Sequence, residues 1–159
     1  MMKKITFLLL LACTTAFGQR SNDKDTQVQL DNEQNAEKVT FKLNTEWFVK
    51  DPATPYGYKT TDDKVFIRVM NASYMDFPVA LENLTKKYGA GNVSLLVENK
   101  VMKGRRMENG PPDTGSIFYG INSGDGRLIS VMVYLPLSQL DEWEPYIDNV
   151  MKTFEISML

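Results

Sequence analysis

Ser116-Ile117-Phe118-Tyr119-Gly120-Ile121 and Arg127-Leu128-Ile129-Ser130-Val131-Met132-Val133-Tyr134-Leu135 are separated by Asn122-Ser123-Gly124-Asp125-Gly126. Both flanks alternate apolar and polar residues. The connector carries two glycines with Asn and Asp, residues that accept the positive φ of a tight turn. This is the clearest hairpin signal in the chain, and it predicts an antiparallel sheet. Asn122 and Asp125 are also oxygen donors, but the connector lacks the spaced acids and distal glutamate of a calcium loop. It reads as a turn.

Other strands radiate from this hairpin. Val39-Thr40-Phe41-Lys42-Leu43 alternates and predicts a half-buried strand. Trp47-Phe48-Val49 continues as a second short strand or a bend. The stretch 51–57 holds Pro52, Pro55 and Gly57 and reads as a loop. In 64–70, Val65, Ile67 and Val69 share one strand face. Residues 93–103 read as one strand, 109–113 (Asn-Gly-Pro-Pro-Asp) as a loop, and 153–158 as a closing strand.

Two helices complete the pattern. Phe77, Ala80, Leu81, Leu84 and Tyr88 recur at steps of three and four, so 76–88 reads as a helix with one apolar stripe. Asp76 is placed to cap it, Pro78 falls in the first turn, and Gly89 supplies the stop. Leu140, Trp143, Ile147, Val150, Met151 and Phe154 define a second stripe. Pro145 would cost about 3 kcal/mol inside a helix. The sequence therefore predicts a turn over 138–141 and a regular helix over 142–152. The fold class is α+β, a mainly antiparallel sheet with two principal helices packed on it.

Element order and the ending Trp143-Glu144-Pro145-Tyr146-Ile147-Asp148-Asn149-Val150-Met151-Lys152-Thr153-Phe154 resemble the PsbP-like α/β/α sandwich superfamily over roughly residues 39–158. The early aromatics Phe41 and Trp47 and the helix at 77–88 fit the same order. The resemblance lies in element order and apolar spacing, not in a signature motif. It implies a binding or assembly factor more than an enzyme. The superfamily has no shared catalytic set, so no site residue carries over, and fold analogy alone does not fix function.

The N-terminus carries an address. Lys3 and Lys4 precede an apolar run from Ile5 to Ala12, and Ala16-Phe17-Gly18 offers small residues before Gln19. This is the grammar of a signal peptide over 1–18. The run is shorter than the ~20 residues that span a bilayer. Leu10-Leu11-Ala12-Cys13 also resembles a lipobox, although Leu11 stands where a small residue is commoner. Cleavage after Gly18 is the favoured reading. Lipidation at Cys13 is the alternative, and it would hold the protein to a membrane by acyl chains alone. The location is thus exported, periplasmic or extracellular, or membrane-anchored through Cys13. Residues 19–38 are polar and read as a flexible spacer with a short edge strand at 26–30. Residues 39–159 form one domain.

Composition excludes several chemistries. The 159 residues include no histidine, and Cys13 is the sole cysteine. The usual neutral-pH proton shuttle and thiol nucleophiles are therefore missing from the mature domain. With Lys3 and Lys4 removed, 16 basic residues face 20 acidic ones, a net charge of −4 that argues against nucleic acid as a partner. Lys100, Lys103, Arg105 and Arg106 read as a solvated strand end. Asp62-Asp63 is a weak carboxylate pair, and a carboxylate-dependent hydrolase stays the least favoured class. The sequence assigns no catalytic residue, no cofactor and no metal ligand.

Tyr56 and Tyr58 with the loop holding Asn109 and Asp113 form the candidate ligand-binding surface, because loop aromatics combine apolar area with a polar tip. The favoured reading, however, puts Trp47 and Phe48 in the core and the tyrosines at its edge. Trp143 reads as core, and the methionines as gap-filling residues. The leading function is an exported non-catalytic domain that binds an envelope or secreted protein. The alternative is a binder of a small ligand such as a sugar, lipid or ion.

Overall fold

The structure is a computed structural model that describes residues 19–32, 37–70, 72–106 and 113–158. Eleven strands and two α-helices are found among them. Cys13 and Asn109 lie outside the described residues, as does the whole leader.

The hairpin forms as its sequence predicts. Strands β9 (Thr114–Asn122) and β10 (Arg127–Pro136) pair antiparallel from Asn122↔Leu128 to Thr114↔Pro136. Gly124 and Gly126 take φ of 85° and 87° in the turn. The Gly124 N–H donates to Asn122 Oδ1 at 3.0 Å, and the Ser123 N–H donates to the Arg127 carbonyl at 3.0 Å. These are turn contacts, so Asn122 and Asp125 work as turn residues.

The hairpin is the centre of an eight-stranded sheet. Its order is β3 (Phe48–Lys50), β4 (Gly57–Thr60), β5 (Phe66–Val69), β10, β9, β8 (Val101–Arg106) and β7 (Val93–Val97), and β6 (Ser73–Tyr74) also pairs with β10. A second sheet has the order β1 (Thr26–Asn32), β2 (Glu37–Leu43), β11 (Glu155–Met158). Every strand pairing is antiparallel. Side-chain alternation sorts the layers. On β8, Met102 and Gly104 face α1 (Phe77–Tyr88), whereas Lys103 and Arg105 face α2 (Leu140–Met151). The large sheet thus lies between α1 on one side and α2 with the small sheet on the other. The main core fills the second space, where Phe41 stacks on Phe154 at 4.3 Å between centroids.

Four expectations need correction. The stretch read as one strand at 93–103 is two strands joined by a turn at 98–100, where Asn99 takes φ 56° and the Lys100 N–H reaches the Val97 carbonyl at 3.1 Å. Asparagine supplies a left-handed conformation that glycine usually marks. The stretch 19–38, read as a flexible spacer with a short edge strand at 26–30, holds that strand in a longer form: β1 pairs with β2 over seven residues and buries Leu30. Its register against β2 repays the ordering cost that its own composition cannot.

Asp76 stands at the N-cap of α1 but makes no side-chain cap bond, and its carbonyl accepts the Ala80 N–H instead. Finally, α2 starts at Leu140, after a 3-10 turn at Leu137–Gln139, and keeps Pro145 inside. The proline costs about 3 kcal/mol. Trp143, Tyr146, Ile147, Val150 and Met151 are all buried by the same helix. Each such side chain gains about 1.5–3 kcal/mol on burial, so packing outweighs the lost bond.

Candidate functional site

A largely apolar groove of about 210 Å³ runs beneath α1. Its floor is Met102 and Phe118 on β8 and β9, with Leu128 on β10; its roof is Ala80 and Leu84. Two glycines set its shape. A Cβ on Gly104 would stand 3.1 Å from Leu84 Cδ1, so glycine lets α1 come down on the sheet. A Cβ on Gly120 would stand 2.8 Å from Met102 Cγ, so glycine leaves room for that methionine.

Tyr88 closes one end, 6.4 Å from Phe118 between ring centroids. Burial raises the Tyr88 hydroxyl above its usual range, and the nearby Arg106 charge opposes that rise. Lys87 lies over the Tyr88 ring at 5.6 Å and lines the groove. The groove is apolar inside and basic at its rim. Met75 also lines it. Among the described residues, four of the eight large apolar side chains that stand exposed fall in 70–79: Met70, Tyr74, Met75 and Val79.

On the opposite face of the sheet sits an ionic cluster. The Lys103 ammonium contacts Glu144 Oε1 at 2.6 Å and Asp148 Oδ2 at 2.8 Å, and its side chain is 7% exposed. The Tyr119 hydroxyl donates to Asp148 Oδ1 at 2.7 Å. Burial, then the Asp148 charge, push the Tyr119 pKa far up. Arg105 Nε stands 3.0 Å from Glu144 Oε1. The two contacts to that oxygen are ion pairs rather than aligned hydrogen bonds. The cluster floors an open cleft between β7 and α2. Two cations balance two carboxylates, so it is a neutral brace. The sequence placed Lys103 on a solvated strand end; its partners lie about 40 residues away in the chain, and no local signal finds them.

A third constellation joins the N-terminal segment to α2. The Arg20 guanidinium carbon stands 3.8 Å from the Trp143 ring centroid and 4.6 Å from that of Trp47. Its Nη2 meets Glu142 Oε1 at 2.6 Å. Nearby, the Tyr146 hydroxyl donates to Asp25 Oδ1 at 3.0 Å and accepts the Asn44 N–H at 2.9 Å. Burial raises the Tyr146 pKa strongly. Sequence periodicity found Trp143 as a core residue; it missed Arg20, which has no apolar pattern around it.

Among the described residues of the ligand-binding surface expected from sequence, Tyr56, Tyr58 and Asp113 are not brought together. Tyr58 is buried, packed edge-on against Phe41 at 5.7 Å. Tyr56 is half-buried and its hydroxyl donates to Asn32 Oδ1 at 3.3 Å. The recess beside it holds only about 10 Å³. The Tyr56 carbonyl accepts the Val69 N–H, in the row of Val131 and Tyr119. Asp113 lies just past the Thr114↔Pro136 pair, exposed, with φ 66°. From Val131 to Pro136 is about 17 Å along the strand at ~3.4 Å per residue. The Asp62-Asp63 pair is spent on neighbours: Asp62 accepts the Thr60 hydroxyl at 2.7 Å, and Asp63 pairs with Lys59 at 2.5 Å.

No family model matches the chain, and no curated protein matches it. Among solved structures, it is similar to the solution structure of cyanobacterial PsbP (CyanoP) from Synechocystis sp. PCC 6803. The TM-score is 0.50 at 12% sequence identity, covering 83% of this chain and 93% of that one. At such identity the likeness speaks for the backbone arrangement alone. Two helices on mainly antiparallel sheets, in the order that the sequence predicts, are a PsbP-like fold.

Proposed function

We propose that this chain is an exported, non-catalytic domain that docks a partner protein at the groove beneath α1. The observation that carries this reading is the apolar groove together with Met75, which lines it and stands exposed. Contiguous exposed apolar surface rimmed by polar groups marks interaction sites, and methionine and aromatics are enriched there. A recess of about 210 Å³ falls below the roughly 300–1,000 Å³ of drug-sized ligand sites. It suits one or two inserted side chains. Lys87 at the rim favours an acidic residue beside the inserted apolar one. The leader-like segment at 1–18 and the absence of histidine from the sequence support the exported, non-catalytic part.

The test is site-specific photocrosslinking in the native host, with the crosslinker at Val79 and, as control, at Met158 on β11. A discrete adduct from Val79 that disappears with Met75→Glu, while the fold is retained, is expected. Adducts of equal yield from both sites, or a Val79 adduct indifferent to Met75→Glu, would refute it.

The apolar lining of the groove favours a second reading, a short apolar ligand. Ligands that bind only the folded state raise its melting temperature by mass action. A rise with medium-chain fatty acids, abolished by a bulkier residue at Gly120, is the expected mark of that reading.

A further inference from the structure

Trp47, Trp143 and Glu142 form a three-sided corner on the α2 side of the large sheet. The indole rings stand perpendicular, 6.0 Å apart. Trp143 is anchored from behind by Phe48 at 5.4 Å and Tyr146 at 5.9 Å, and is 3% exposed. These walls come from α2 and the turn before β3, so they belong to the domain proper. A planar cation lies against two aromatic faces and meets a carboxylate at its edge, which is the chemistry of guanidinium recognition. We propose that this corner is a guanidinium-binding site that Arg20 fills from within the same chain, and that it takes an arginine side chain from outside once residues 19–25 withdraw.

Three observations favour a site over a mere clamp. Arg20 belongs to the segment before β1, outside both sheets. The other long-range holds on that segment are few: Asn22 donates to the Tyr146 carbonyl at 3.3 Å and accepts from Asn149 at 3.1 Å, Asp25 accepts from Tyr146, and Lys24 lies 3.8 Å from Glu46 in an exposed pair. And Arg20 Nε is buried without a hydrogen-bond partner among the described residues, so the resident guanidinium leaves a donor unused. A short tether gives the resident group an effective concentration in the millimolar range. An external arginine therefore competes weakly with wild type and freely with a chain that lacks Arg20.

The chain holds two tryptophans, Trp47 and Trp143, so its indole fluorescence reports on this corner alone. Arg20→Ala is titrated with N-acetylarginine amide and with the tripeptide Gly-Arg-Gly, alongside wild type. Arg20→Gln serves if the alanine variant fails to fold. The expected result is a saturable change at millimolar ligand in the variant and a flat line in wild type. Adding Glu142→Gln should weaken binding about tenfold, the scale of one charge-assisted bond. Tighter binding of the tripeptide marks a partner chain whose neighbouring residues also make contact, and equal binding marks recognition of the arginine side chain alone. A flat titration in a folded variant, or an equal response in wild type, overturns the proposal.

Discussion

Replacing Lys103 by methionine removes the cation that touches both Glu144 and Asp148. The methionine stem keeps most of the volume, so the effect is electrostatic. The lysine side chain is 7% exposed and its two carboxylate partners are 14% and 20% exposed. Breaking a buried pair by deleting one partner costs about 3–5 kcal/mol. Arg105 still faces Glu144, and the Tyr119 hydroxyl still donates to Asp148, which moves the expectation to the lower end, about 3 kcal/mol. A domain of this size has roughly 5–15 kcal/mol in total, and the melting temperature should fall by about 10 °C.

Urea unfolding at neutral pH measures the loss directly. The decisive control is the triple variant Lys103→Met/Glu144→Gln/Asp148→Asn. It removes the stranded charges, while the amide oxygen introduced at position 148 can still accept from Tyr119. It should recover most of the lost stability, because buried ion pairs are commonly matched by neutral groups of similar volume. A single variant within about 0.5 kcal/mol of wild type, the usual spread of surface changes, would refute the reading of Lys103 as a buried brace. So would a triple variant no more stable than the single one.

Gly120→Ala puts a Cβ 2.8 Å from Met102 Cγ; it should cost about 1–3 kcal/mol by overpacking, read as a lower urea midpoint. Burial raises the hydroxyl pKa of both Tyr119 and Tyr146 above the unfolded value. The folded state therefore binds more protons than the unfolded one above about pH 10. Stability should hold up to that pH and decline beyond it, and Tyr146→Phe should shrink the decline in an alkaline titration followed by circular dichroism. Arg127 holds the exposed Asp125 carboxyl well below the carboxylate range, with help from the Ser123 hydroxyl. That contribution is present above the unfolded pKa of about 4 and disappears as pH falls through the folded value. Asp125→Asn should thus flatten the acid limb of a stability–pH curve, and an unchanged slope would count against the pairing.

The strands were legible in the sequence where one face is buried and the other wet. Val65, Ile67 and Val69 alternate, and all three prove buried. The stripes of α1 and α2 were legible for the same reason. What stayed hidden was long-range. β4 and β6 are four and two residues long, too short for periodicity to register. The strand at 26–30 was legible, but not its full length to Asn32 or its seven-residue ladder with β2. The start of α2 differs because a local proline penalty is outweighed by the burial of five side chains. The groove beneath α1 depends on two glycines, Gly104 and Gly120, set opposite Leu84 and Met102. Neither glycine sits in a turn, so a reading that treats glycine as a turn signal passes over both.

The Arg20 clasp also fixes the position of the first described residues on the α2 side of the large sheet. A leash counted from Cys13 to residue 38 would allow up to about 90 Å of reach at ~3.6 Å per residue. Counted from Cys13 to Arg20, it allows about 25 Å at the same rise. If Cys13 carries lipid, Arg20 can lie at most about 25 Å of chain from the anchor while the clasp holds. The groove beneath α1 lies on the other face of the sheet, so a tether held by the clasp would leave it clear.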